Sequence, residues 1–372
     1  MEGAAMSNTQ PGQFSFTDIM HQVERQMQQD PNAFGFEPEM RKKVIVTNVE
    51  GILGRPLNRI EEKMLRNIMN MDAHSWARGK NGGLISGLQS FDDAFEGGAQ
   101  PGLILFAAAP NVGKSAYMLQ VCKGISERNE KVYVSYHSLD DANNDLMPRY
   151  IANDQQITIG QAKSPAKYED DEEIINKRNE GIKNLYRRVD RFGMFDSNDM
   201  TSVEAIEEHI KDIKMTMPEG TRIVIAIDSF NDLTVESKTF SNNDDKTAHV
   251  SKTIKGWATR FDVVVMCTAH LRKTNGKRPI EDDLKDTITL RYEATMVCLM
   301  YNEVGIKEEN AEIYWVDEDE DLKMPVVEVK FAKNKHASMK STKFFNFIPD
   351  YSLFIQAEDE AQRRFASKIY QN

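Results

Sequence analysis

The stretch from Leu103 to Ile125 constrains this chain more than any other. An apolar run, Leu103–Ala107, leads into Ala108-Ala109-Pro110-Asn111-Val112-Gly113-Lys114-Ser115. A helical stripe of Met118, Leu119, Val121, Cys122 and Ile125 follows at once. A strand, a Gly-Lys-Ser turn and a helix in that order aim backbone N–H groups and a helix N-terminus at an anion. The phosphate-loop pattern asks for Gly, four residues, Gly, Lys, then Ser or Thr, and Ala108 stands in the first Gly position. On this reading Ala109, Pro110, Asn111, Val112, Gly113, Lys114, Ser115 and Ala116 cradle a nucleoside triphosphate. Lys114 reaches its β- and γ-phosphates, and Ser115 ligates Mg²⁺.

Three further apolar runs end in polar residues. Arg222–Ile227 delivers Asp228, a carboxylate suited to holding magnesium beside a phosphate loop. Val132–Tyr136 leads through His137-Ser138-Leu139 to Asp140 and Asp141. Asp140 is either the group that orients an attacking water or simply the N-cap of the next helix. Val263–Thr268 ends in Ala269-His270, where the imidazole either senses a γ-phosphate or is structural.

The wider pattern alternates. Strands are predicted at Leu103–Ala107, Val132–Tyr136, Gly193–Phe195, Arg222–Ile227, Val263–Thr268 and Met296–Tyr301, then at Glu312–Val316, Val326–Phe331 and Lys343–Ile348. Helices are predicted over 114–128, 141–153, 172–188, 202–216, 246–260 and 357–369. This predicts an α/β fold: a mostly parallel sheet covered by helices, with antiparallel strands at one edge. Residues 1–35 read as a mobile segment, with one short helix around 16–28. Residues 36–82 read as a helical linker, because Leu57, Ile60, Met64, Leu65 and Ile68 form a helical stripe. That helix either folds back on its own domain or docks on a neighbouring subunit. Residues 356–372 form a C-terminal helix or tail. No apolar run approaches the ~18 residues of a membrane span, and the first 30 residues carry no apolar signal core. Three cysteines without zinc or CxxC spacing argue against a disulfide framework and for a reducing cytoplasm.

These strand ends, in this order, resemble the RecA-like P-loop NTPase motor of DnaB-type replicative helicases, over residues 83–355. Ser86-Gly-Leu-Gln-Ser-Phe-Asp-Asp-Ala-Phe-Glu-Gly-Gly is similar to the segment that precedes the family's phosphate loop. The Asn111–Ser115 form is similar to that of bacteriophage members. Ser138-Leu139-Asp140 stands where the family has Ser-Leu-Glu, the Glu being its catalytic base. His270 stands at the γ-phosphate sensor. Lys277-Arg278-Pro279 with Asp283-Leu284-Lys285-Asp286 resembles Lys-Arg-Pro…Asp-Leu-Arg-Glu. Ala332-Lys333-Asn334-Lys335 occupies the segment whose basic residues reach the neighbouring subunit's nucleotide. Three departures stand out: Asp140 for Glu, Lys335 for Arg, and Thr287–Tyr292 in place of a Ser-Gly and acidic stretch. Lysine keeps the charge but loses the bidentate fork.

The resemblance implies an ATP- or NTP-dependent, Mg²⁺-using helicase that works as a homo-hexamer on single-stranded and forked DNA. It also implies a separate primase and loader or polymerase, and a cytoplasmic location (the host's, if viral). Rival readings are a recombinase-like DNA-dependent ATPase, a weakly hydrolysing ring or adaptor, and a small-molecule kinase. The formal charge of −11 offers no global attraction for DNA. Residues 237–278, however, hold nine Lys and Arg against three acids. Lys238, Lys246, Arg272, Lys273, Lys277 and Arg278 are therefore candidates for sequence-independent phosphate contact, against the alternative of a solvated charged face. Lys330, Lys333, Lys335, Lys340 and Lys343 form a second basic cluster, assigned to a subunit interface.

Overall fold

The computed structural model describes residues 49–77, 82–272, 274–284, 288–317, 322–338 and 341–370. The segment 1–35 with its expected helix, residues 318–321, Lys273, Lys340 and Lys285-Asp286-Thr287 lie outside these residues. The chain divides into two units, Met1–Lys80 and Asn81–Asn372.

Within the first unit, α1 (Val49–Leu53) precedes α2 (Arg59–Ala77). α2 begins where the sequence can cap it. Asn58 Oδ1 accepts from the Ile60 and Glu61 N–H groups, and the Glu61 carboxylate reaches back to the Asn58 N–H. This is reciprocal capping of donors that a first turn leaves without partners. Arg55 grips the same carboxylate at 2.9 and 3.0 Å. Ile60 and Met64, on the expected apolar stripe, are both exposed.

The second unit is built on a ten-stranded sheet. In chain order it comprises α3 (Gln89–Ala94), β1 (Gly102–Ala108), α4 (Lys114–Arg128), β2 (Val132–Ser138), α5 (Asn143–Gln155), α6 (Ile159–Lys163), α7 (Glu172–Arg187), β3 (Phe192–Asp196), α8 (Val203–Thr216), β4 (Arg222–Asp228), α9 (Asn243–Arg260) and β5 (Val264–His270). There follow α10 (Ile288–Glu293), β6 (Met296–Asn302), α11 (Val304–Lys307), β7 (Tyr314–Asp317), β8 (Leu322–Asn334), β9 (Thr342–Ile348), β10 (Leu353–Gln356) and α12 (Asp359–Tyr370). Strand order is β10-β9-β8-β6-β1-β5-β4-β2-β3, with β7 paired to β8. The six strands from β6 to β3 are parallel, and β7 to β10 add antiparallel edges. The expected α/β architecture is the observed one.

Alternation of side chains along each strand divides the core between two faces. Ile104 and Phe106 of β1 join Tyr117, Tyr136 and Tyr150 on one face. Leu103 and Leu105 join Ile206, Ile225 and Trp257 on the other. Parallel strands covered on both faces are fully buried runs, as β1 and β2 are. Segment 86–98 wraps Asp92, whose carboxylate accepts from Ser86 N, Ser86 Oγ and Gly87 N. α12 packs Phe365 on Phe344 of β9, so the C-terminal helix is part of this unit's core.

Candidate functional site

β1, β5, β4 and β2 are neighbours in the sheet. Ala108 is register-paired with His270, and Ser138 with Asp228. The four sequence signals thus end on one rim, at the carboxyl ends of parallel strands, where open α/β sheets bind ligands.

The phosphate loop leaves β1 and turns through Asn111 (φ 62°) and Gly113 (φ 102°). Both lie in the left-handed region, which glycine occupies at little cost. A Cβ at Gly113 would also lie 3.0 Å from Phe354 and 3.3 Å from Phe347. These two rings stack at 4.3 Å beneath the loop. α4 opens at Lys114, so the N–H groups of its first turn have no intrahelical acceptor and face outward. Lys114 is 9% exposed. Burial lowers its pKa, while the charges of Asp228 and Asp140 pull it back up. The two carboxylates thus favour the charged ammonium against its burial.

Asp228 is 4% exposed. Its Oδ2 accepts from the Tyr136 hydroxyl at 3.0 Å and its Oδ1 from Thr268 Oγ1 at 2.5 Å. β2 and β5 flank β4, so each flanking strand contributes one donor. Burial and then the nearby Asp228 charge raise the Tyr136 pKa, so the phenol stays protonated and donates. Sequence reasoning missed Tyr136 and Thr268. Thr268 stands two positions before His270, and Tyr136 is one of a run of alternating residues on β2. Neither signal reveals which strands are adjacent. Ser115 and Asp228 supply hard oxygen donors of the kind Mg²⁺ takes alongside phosphate oxygens and water. The carboxylate keeps lone pairs beyond the two hydrogen bonds. Among the described residues no cluster of three His, Cys, Asp or Glu could hold a metal. A divalent ion here would take its remaining ligands from phosphate oxygens and water.

Asp140 is exposed on the rim, and its N–H is bonded to the Asp228 carbonyl at 3.2 Å. The alternative role as helix N-cap is not the one observed. α5 starts at Asn143 after Ala142, and the Asn143 N–H is held by the Asp196 carboxylate of β3 at 3.0 Å. Asp141 is paired with Arg149 at 2.5 Å. Asp140 is left on the rim beside Lys114. His270 is half-buried, and its backbone N–H donates to Asn231 Oδ1 at 3.1 Å.

Lys333 and Lys335 are not brought to this rim. β8 runs antiparallel to β6, and Lys333 is paired with Val297. Lys335 N–H bonds to the Thr295 carbonyl, level with Leu103. Counting five residues from Leu103 to Ala108 at ~3.3 Å each puts Lys335 about 16 Å below the rim along the strands. Lys333 Nζ donates to the carbonyls of Arg291 at 2.5 Å and Tyr292 at 3.1 Å. Burial, then the Lys335 charge, lowers its pKa to about 8. It lines a cavity of about 630 Å³ with Lys330, Arg291, Tyr292 and Glu281.

Lys238 follows β4, Lys246 lies early in α9, and Arg272 and Lys277 follow β5. All four thus leave from the strand ends that carry Asp228 and His270. Lys238, Arg272 and Lys277 are exposed. Arg278 differs from them: its guanidinium holds Glu328 through two 2.8 Å bonds.

Residues 83–356 match the family described as DnaB-like helicase C terminal domain. A probable replicative DNA helicase of Trieres chinensis is 21% identical over 281 residues, covering 72% of this chain and 58% of the relative. The replicative DNA helicase DnaB of Mycoplasma genitalium is 24% identical over 282 residues, covering 73% of this chain and 56% of the relative. The chain therefore matches less than two thirds of the length of these relatives. Among solved structures, one described as an ATPase domain has a TM-score of 0.67 at 22% identity, covering 82% of this chain and 100% of that one. A DnaB-like replicative helicase, described with its interactions with primase, has a TM-score of 0.66 at 21% identity, covering 92% and 75%. These likenesses establish the fold.

Proposed function

This chain belongs to the DnaB-like helicase C-terminal domain family, and from that premise we propose that it is an NTP-dependent replicative DNA helicase acting as a hexameric ring. One observation carries the mechanism. Lys114, Asp140, Asp228 and His270 share one rim, while Lys333 and Lys335 lie near the amino ends of β6 and β1, away from that rim. Neither Lys333 nor Lys335 lies at the rim of its own chain, and a second copy would supply them to a triphosphate bound there.

Lys114 and the first-turn N–H groups of α4 would bind the β- and γ-phosphates. Ser115 and Asp228 would hold Mg²⁺, which when bound neutralises charge developing on those phosphates. Asp140, next to the loop, would orient the attacking water. His270 would sense the γ-phosphate from β5, and Lys335 and Lys333 of the neighbouring copy would complete the charge balance. Hydrolysis would then report on the interface between copies. Lys238, Lys246, Arg272, Lys273 and Lys277 would carry single-stranded DNA by phosphate contact. α2, with Ile60 and Met64 exposed, would be the arm that docks on a neighbour. Primase and loader would be separate proteins.

The test is ATP turnover with and without single-stranded DNA, paired with a mass measurement in ATP and magnesium. Stimulated turnover, an oligomer, and loss of turnover in Lys114→Ala are expected. Mixing Lys114→Ala chains with Lys335→Ala chains should restore part of the rate, because some interfaces then join two intact halves. A single copy that turns over ATP at full rate refutes the shared site. Filament formation on DNA without strand displacement would favour the recombinase-like reading.

A further inference from the structure

The Lys-Arg-Pro motif places two basic residues side by side, yet the structure treats them differently. Lys277 is exposed. Arg278 turns back into the protein, where Nε and Nη2 bond the two Glu328 oxygens at 2.8 Å each. Glu303 lies 3.7 Å from the same guanidinium. The guanidinium stacks over the Tyr301 ring at 5.1 Å. Tyr301 and Glu328 are directly opposed on β6 and β8. The Tyr301 hydroxyl donates to the Gly276 carbonyl at 2.8 Å, two residues from Arg278.

This cluster is buried where it matters. Glu328 is 3% exposed and Glu303 is 1% exposed. Burial pushes the Glu328 carboxyl up against the pull of Arg278. Glu303 is held low despite burial by Lys307 and the Ile313 N–H. Removing the guanidinium would leave a buried carboxylate without its counter-charge, which is costly. The described residues these contacts hold, 271–272 and 274–284, follow β5 and close on themselves. The base of this excursion is tied by the Leu271–Leu284 bridge and by Arg272 N–H on the Asp283 carbonyl at 2.7 Å. Its turn runs through Asn275 and Gly276, both at positive φ. At the tip, Arg278 and Tyr301 bolt it to β6 and β8. The exposed cations on this excursion are Arg272 at its base and Lys277 beside the bolt.

We propose that Arg278 is a positioning residue rather than a DNA ligand, fixing the basic excursion 271–284 to the β6–β8 pair through Glu328 and Tyr301 so that Arg272 and Lys277 meet the phosphate backbone in register. The proposal rests on the DNA-binding reading above. It assigns the acid Glu328 and the neutral Tyr301 a part in DNA binding that a charge count would deny them.

The experiment measures oligo(dT) affinity against salt for the full chain and for Arg278→Gln, Glu328→Gln and Tyr301→Phe. If Arg278 positions, all three weaken binding in the same direction, by about tenfold for the two charge variants, and the salt slope stays that of the wild type. If Arg278 touches phosphate, Arg278→Gln shrinks the slope by about 0.7, one contact on a single strand. Glu328→Gln would then tighten binding by freeing the guanidinium, and Tyr301→Phe would do nothing. That pattern overturns the proposal. Amide exchange at Arg272 and Lys277 without DNA should accelerate in all three variants. Unchanged exchange in all three also overturns it. Tyr301→Phe loses one hydroxyl and keeps its ring, so it reports even where a charge variant fails to fold. A wild type that binds no oligo(dT) at any salt sinks the DNA reading instead, while the exchange measurement still tests the bolt.

Discussion

Replacing Thr268 with valine exchanges one hydroxyl for a methyl at nearly constant shape. Thr268 is fully buried, and its hydroxyl donates to a carboxylate that is 4% exposed. A hydrogen bond to a charged group contributes ~1.5–3 kcal/mol, and an acceptor left short of a partner adds to the loss. The Tyr136 hydroxyl still holds the other oxygen, so the lower half of that range, about 1.5–2 kcal/mol, is expected. Urea unfolding without nucleotide should show this as a lower midpoint at unchanged slope. Tyr136→Phe should cost a similar amount. Because both hydroxyls serve one carboxylate, the double variant should depart from additivity by at least ~0.5 kcal/mol. Nucleotide affinity in magnesium should fall more than affinity without it, since Asp228 loses its aim. A Thr268→Val protein within ~0.3 kcal/mol of wild type, with strict additivity against Tyr136→Phe, would refute the idea that the flanking strands orient Asp228.

Other outcomes follow from the same geometry. Gly113→Ala places a Cβ at positive φ and 3.0 Å from Phe354; it should destabilise by about 2–4 kcal/mol in urea unfolding and abolish binding of a fluorescent ATP analogue. His137 is buried, and burial followed by the His209 charge holds its pKa at about 3. The unfolded chain therefore takes up a proton below ~6.5 that the folded one refuses until far lower pH. Stability is thus lost as pH falls through that window, by up to ~1.4 kcal/mol per unit from this group, and His137→Leu should flatten the difference in urea midpoints between pH 7 and 5. Lys333 sheds its proton from about pH 8 upward, so turnover should decline on the alkaline side and Lys333→Arg should move that decline to higher pH. Chelating magnesium should abolish turnover, but should leave the melting temperature of the nucleotide-free chain unchanged, because the donor set is completed by phosphate.

Features governed by neighbours in sequence were legible from residues alone. β1, the loop and α4 follow from an apolar run, a Gly-Lys-Ser turn and a 3.6-residue stripe, and α4 spans the expected 114–128. The resemblance drawn over 83–355 agrees with the family match at 83–356. β10, only four residues long, and the short α10 escaped notice because such segments carry too little periodicity. Asp140 was ambiguous because a strand-end acid reads alike as a site group or a helix cap. Asp196, 56 positions away on β3, removed the cap reading by taking the Asn143 N–H itself.

The chain's order of residues alone determined that a Gly-Lys-Ser turn follows a strand and that Asp228, Asp140 and His270 stand at strand ends, since each rests on local patterning. Only the folded sheet decided which of them meet. Its spatial order β1-β5-β4-β2 is not the chain order, so Tyr136 and Thr268 converge on Asp228 across 92 and 40 positions. The antiparallel return of β8 carries Lys333 and Lys335 away from the rim of their own chain, and it presents Glu328 to Arg278. Charge counting could not separate Arg278 from Lys277, because burial and strand pairing, which set a cation's partner, exist only once distant segments have packed.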